Sequence, residues 1–247
     1  MDSRDGVHQD LIFDIGMSEG NDTDFYLRKG FRVLGVEADP AVYAKLTERF
    51  AEPLTTGRLS IIHKAAFSQA GQQITFFSNA EVQGHSRVMQ NPREFANKRG
   101  NVVEVETIDW PSLVRQAGTP YFCKVDIETS EEKFLSSIIG ARTIPEYMSA
   151  EVHTFEPIEL LHKIGYEKFR LINQTILNTF PIPNPPLEGE YVQARWVHAS
   201  GLFGKELPGK EWYSFDQIRS LYQAILDLRR HGTLLTGWFD CHAYRPS

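Results

Sequence analysis

The chain has 247 residues, 41% hydrophobic and 23% charged, with a formal net charge of −6. That apolar fraction supports a full core and excludes general disorder, while the acidic balance argues against a phosphate-binding, nucleic-acid surface. No run approaches the roughly 20 apolar residues of a membrane span, the first residues lack a secretory leader's apolar stretch, and two cysteines (Cys123, Cys241) set no disulfide framework, so a cytoplasmic protein is expected.

In chain order, Leu11–Gly16 is a short apolar run closing on glycine, as a buried parallel strand does. A helix is expected from Asn21 or Asp22, both N-cap residues, to Gly30. Arg32–Glu37 reads as the second strand, and Asp39-Pro40 opens a helix with Val42, Leu46 and Phe50 on one face. Further strands are expected at 59–65, 74–77, 102–106 and 121–126, with a polar loop at 78–101. Ser130 should cap the next helix. A strand at 148–153, a helix from Glu156 to Ile164 and a strand at 168–172 follow. This alternation indicates an α/β domain whose mostly parallel sheet carries helices on both faces.

Residues 175–213 break the pattern with five prolines and four glycines, and read as an inserted lid or surface excursion. Its aromatics, Trp196, Phe203, Trp212 and Tyr213, would either line an acceptor pocket or pin the insertion to the core, the latter being preferred. Residues 214–245 close the chain. Ser214 and Gln217 make a capping box for a helix with Phe215, Ile218, Leu221, Tyr222 and Ile225 on one stripe, and 237–244 is a final strand.

The chemistry concentrates at the first two strand ends. Asp14-Ile-Gly16-Met-Ser-Glu19-Gly20 forms the turn after strand one, and Glu37 lies 21 residues beyond Gly16. In open α/β sheets ligands bind beyond the carboxyl strand ends, and an acid there accepts from a ribose diol. A dinucleotide fingerprint needs G-x-G-x-x-G, whereas this turn offers G-x-x-x-G with two carboxylates nearby. Negative charge suits a cationic cofactor, so S-adenosylmethionine is favoured over NAD. An NAD-dependent oxidoreductase and a catalytically inactive cofactor-binding protein are the alternatives.

Phe13–Thr23, Phe25-Tyr-Leu and Val36-Glu-Ala-Asp-Pro40, followed by Lys64–Ser68, Val105–Asp109, Lys124–Glu128 and Ala150–His153, resemble the FkbM-type methyltransferases over residues 11–173. The resemblance implies a class I methyltransferase (Rossmann-like) fold; the chain is read as a single domain with an antiparallel closing strand. It implies S-adenosylmethionine as donor and O-methylation of a small hydroxylated metabolite or sugar. By resemblance, Asp14, Gly16, Glu19 and Gly20 would cradle the cofactor's methionine part and Glu37 would hold the ribose. Ala38, Asp39, Ala65 and Ala66 would lie by the adenine, with Asp126 near the reaction centre. Where the family runs Glu-Gly-Ala-Glu, this chain has Glu128-Thr-Ser-Glu131.

For proton transfer the candidates are Asp126, Glu128 and His153, with Glu151 beside them; spacing of two keeps each pair on one side of an extended chain. These four residues could together hold Mg or Mn, a reading not favoured because strand-end acids are common without metal. His85 and His242 are read as solvent-facing and structural, respectively.

Overall fold

The computed structural model describes residues 6–79, 86–89, 100–128, 130–209, 211–232 and 237–246; His85 and Thr129 fall outside them. Strands β1 (Val7–Ile15), β2 (Arg32–Glu37), β3 (Leu59–His63), β8 (Thr119–Val125), β9 (Tyr147–Glu151), β10 (Lys168–Asn173) and β11 (Phe239–Tyr244) form one sheet. Its order is β10-β11-β9-β8-β1-β2-β3. The five strands from β3 to β9 run parallel, and β11 is antiparallel to both neighbours. The chain leaves β1 towards β2 and β3, then returns to β8 on the other side. The reversal therefore falls beside β1, where an open α/β sheet leaves its crevice.

Strand alternation sorts the core into two layers. Phe13, Ile15, Cys123 and Val125 face helices α4 (Trp110–Ala117), α5 (Glu131–Ser136), α6 (Glu156–Ile164) and α7 (Phe215–Arg230). Ile12 and Phe122 face the other way, towards α1 (Asn21–Arg28) and α2 (Pro40–Arg49). A short helix α3 (Ala51–Thr55) follows α2. A second sheet, β4 (Ala65–Ala66), β7 (Asn101–Ile108), β5 (Gln73–Ser78) and β6 (Arg87–Val88), packs beside β2.

Several expectations are corrected. The run at 59–65 is two strands: β3 stays in the main sheet, and Ala65-Ala66 pairs with Thr107-Ile108 in the second. The cap of α1 is Gly20 in the left-handed region, without a side-chain bond, because Asn21 and Asp22 are used elsewhere. Ser130 stands at the N-cap of α5 without a side-chain cap bond. Helix α4 went unread, although Asp109 accepts from Ser112 N and Pro111 sits in its first turn. The capping box of α7 is present as expected.

The largest difference is the excursion. It carries 3-10 turns at Gln174–Thr179 and Gly204–Glu206, and it buries a set of anchors that includes Leu177, Val192, Trp196 and the run Ser200–Gly204. Trp196 and Phe203 pack edge-on against Phe25, and Phe203 stacks on Phe122. Trp212 lies against Tyr147 and Tyr244. Lys29 and Glu206, both essentially buried, pair at 2.8 Å and tie the segment to α1. Aromatic packing and a buried ion pair thus let a proline-rich segment cover a sheet face, and those aromatics pin it rather than line the cavity.

Candidate active site

A cavity of about 590 Å³ opens at the carboxyl edge of the parallel strands, within the range of small-molecule and cofactor sites. Its shape begins with Gly16. There φ is +88°, the N–H donates to Val36 O at 2.9 Å, and an added Cβ would lie 1.8 Å from the carbonyl oxygen of Asp126. Only glycine lets this turn fit between the ends of β2 and β8. The turn presents Ser18 N to Glu37 Oε2 at 3.0 Å, while Asp39 N donates to Oε1 at 2.8 Å. Two backbone donors therefore fix the Glu37 carboxylate in the cavity wall, and burial lifts its pKa to about 7.

Gly16, Glu19 and Glu37 line the cavity, as do Ala38, Ala65 and Ala66. Asp39 instead faces its own helix, accepting from Ala41 N and Val42 N, and Gly20 packs under Phe50. Asp14 is fully buried behind the turn, where it accepts from Thr23 Oγ1 at 2.6 Å. It is a support for the site rather than part of its wall.

What holds Asp14 there was not singled out in the sequence. Lys124, near the carboxyl end of β8, is buried, and its Nζ lies 3.4 Å from Asp14, 3.3 Å from Asp22 and 3.4 Å from Asp126. It also donates to Gly16 O at 3.3 Å. Burial opposes its charge, but Asp14, Asp126 and Asp22 together raise its pKa well above the ordinary lysine value. Its signal was a lysine inside an otherwise apolar strand, a residue almost never fully buried unless paired.

Asp126 and Glu128 line the far wall, together with Glu151 and Asp240. Burial, then Asp126 and Glu151, raise the Glu128 pKa to about 7, and its backbone is left-handed (φ +55°). His153 is turned out of the cavity and half-exposed, with its Nε2 3.0 Å from Glu151 Oε2. That bond raises its pKa to about 9, so it is a cation at neutral pH. As a general base it is displaced on both position and charge. His242 is buried, and burial lowers its pKa to about 3.

The excursion reaches the cavity through His198, Ala199 and Ser200. Ser200 N donates to both Asp22 oxygens (2.9 and 3.0 Å), and Asn21 Nδ2 donates to Val197 O at 3.0 Å. Asp240 enters from β11, with Gln174 just after β10 and Trp238 just before β11. Sequence reading missed these contributors because their neighbours in space are remote in the chain.

The strand order, the antiparallel β11, the glycine turn after β1 and the acid closing β2 define a class I, Rossmann-like methyltransferase. The particular family follows from the sequence itself: the methyltransferase FkbM domain matches residues 14–178, and the chain belongs to that family. No curated protein sequence matches it. Among solved structures, the FkbM methyltransferase of Methylobacillus flagellatus KT is 17% identical, with a TM-score of 0.44 over 67% of this chain. This chain spans only 40% of that protein. A geranyl diphosphate C-methyltransferase of Streptomyces coelicolor A3(2), in complex with Mg2+, geranyl diphosphate and S-adenosyl-L-homocysteine, is 11% identical (TM-score 0.43, covering 98% of this chain and 75% of that one). An rRNA methylase from Streptococcus thermophilus is 10% identical (TM-score 0.41, covering 98% and 90%). Likenesses at this level carry no statement about the acceptor.

Proposed function

We propose that this protein is an S-adenosylmethionine-dependent O-methyltransferase acting on a small hydroxylated metabolite or sugar. The observation that carries the reading is Glu37, a buried carboxylate fixed by two backbone donors where β2 meets the cavity. The residues present fit the cofactor. Glu37 would accept from the ribose hydroxyls, and Ala38, Ala65 and Ala66 leave room for a flat ring beside them. The Gly16–Glu19 turn would follow the methionine part, with Asp22 and Glu19 carrying charge opposite to its ammonium.

When bound, S-adenosylmethionine supplies a methyl group already activated on a sulfonium. The protein's task is then to align an acceptor oxygen and keep water out. Ser200, tethered to Asp22, would cover the cofactor side. Asp126 and Glu128 would orient the acceptor hydroxyl and take its proton, since both line the wall beyond the Gly16 turn. Calorimetric titration with S-adenosylhomocysteine and with NAD tests the site. The homocysteine product should bind at least tenfold tighter, and methyl transfer to a panel of hydroxylated acceptors should follow. Tighter NAD binding, or no binding of S-adenosylhomocysteine, would refute the reading.

A further inference from the structure

The carboxyl ends of β8 and β9, at and just behind the far wall of the cavity, hold more negative charge than proton transfer requires. Oxygens of Asp126, Glu131 and Glu151 lie within 4.8 Å of one another. Asp126 follows β8, Glu151 ends the adjacent β9, and Glu131 opens α5, where its Oε1 accepts from Ile127 N at 3.0 Å. A fourth acid joins them across the sheet. Asp240 in β11 is the direct antiparallel partner of Glu151, so the two side chains share a face. Like charges directly opposite each other destabilise a sheet.

Asp240 lines the same cavity and is only 4% exposed; burial, then Asp126 and Glu151, push its pKa well above the ordinary carboxylate value, with Lys124 acting against them. Gln174, two residues beyond the Asp240 partner Ile172, also lines it and keeps a buried Oε1 without a partner. The cations nearby are already engaged. Lys124 is shared among Asp14, Asp22 and Asp126, and His153 is bonded to Glu151. Each carboxylate has a second oxygen, so Asp126 can keep Lys124 and Glu151 can keep His153 while turning the other inward. Lys124 acts on Asp240 as well, so one buried cation serves four acids, and burying carboxylates in that excess is costly. A cation supplies what this wall lacks.

We propose that Asp126, Glu131 and Glu151 ligate a divalent cation, with Asp240 completing or neutralising the site. All-oxygen donors select a hard ion such as Mg2+ or Mn2+. His153 then has a defined part, holding the Glu151 carboxylate from outside as a partner one bond removed from the ion. The ligand set differs from the sequence expectation, because Glu131 takes the place of Glu128 and His153. Its role beside an acceptor hydroxyl rests on the methyl-transfer reading, whereas ion binding itself does not.

The test therefore uses Mn2+ alone. The full chain, stripped with EDTA and dialysed, is titrated with MnCl2 and free Mn2+ is followed by electron paramagnetic resonance. One saturable site is expected. Glu151→Gln and Asp240→Asn should each weaken it about tenfold or more, while the exposed-surface variant Glu48→Gln leaves it unchanged. Unfolding curves verify that the variants are folded. If either fails to fold, the more exposed Asp126→Asn replaces it. Absence of saturable uptake up to about 1 mM, or equal uptake by the variants, overturns the ion site. Calorimetry with S-adenosylhomocysteine, run without metal, reports separately on the cofactor reading.

Discussion

Replacing Glu37 with Gln separates the cofactor role of this residue from its structural one. In the native protein both oxygens already accept from backbone, Ser18 N on one and Asp39 N on the other. Glutamine keeps one oxygen, so its NH2 group must face the second donor and the carboxylate charge is gone. A ribose diol bound here would lose at least one charge-assisted acceptor, worth about 1.5–3 kcal/mol. At about 1.4 kcal/mol per tenfold, the dissociation constant for S-adenosylhomocysteine should rise between about 10-fold and about 150-fold. A second signature comes from titration. Because burial sets the Glu37 pKa at about 7, wild-type affinity should weaken as pH falls below that value, and the glutamine variant should lose this dependence. Isothermal titration calorimetry at about pH 8 and about pH 6 reads both. An affinity within about twofold of wild type at the higher pH, in a variant that melts normally, would refute the ribose assignment.

Lys124→Met should leave the buried Asp14 and Asp22 and the half-buried Asp126 without their shared cation. A loss of about 3–5 kcal/mol in urea unfolding is expected, and a loss below about 1 kcal/mol would show that the cluster is not ionised as described. The ligand-free protein should also become less stable as pH rises from about 4.5 to about 7. Burial raises Glu37 and Glu188 to about 7, so the folded state holds protons that the unfolded chain has released. Each group contributes at most about 3 kcal/mol to that decline, and thermal melts showing stability rising over the interval would contradict it.

Much of this protein is written locally. The apolar run ending at Gly16, the acid closing β2, the Asp39-Pro40 helix start and the Ser214–Gln217 box are each legible because a cap, a turn or a buried face depends on residues a few positions apart. The end of the cavity formed by Gly16 and Glu37 was legible for the same reason: its turn and its acid sit at the ends of two neighbouring strands. Even the unread α4 had a local signal in Asp109-Trp-Pro111.

The opposite, acidic end of the cavity was decided only by tertiary structure. Periodicity says which face of a strand is buried, but not which strand lies beside it. Lys124 meets Asp14 across 110 residues because β8 returns beside β1, and Asp240 faces Glu151 because β11 inserts antiparallel next to β9. The same distant pairing pins the segment read as an excursion to a sheet face through Phe203 and the Lys29–Glu206 pair. Sequence determined the glycine turn and the acid at one end of the cavity. Strand order and register determined which charges meet there, because burial pattern is a local property and charge pairing is a property of the assembled sheet.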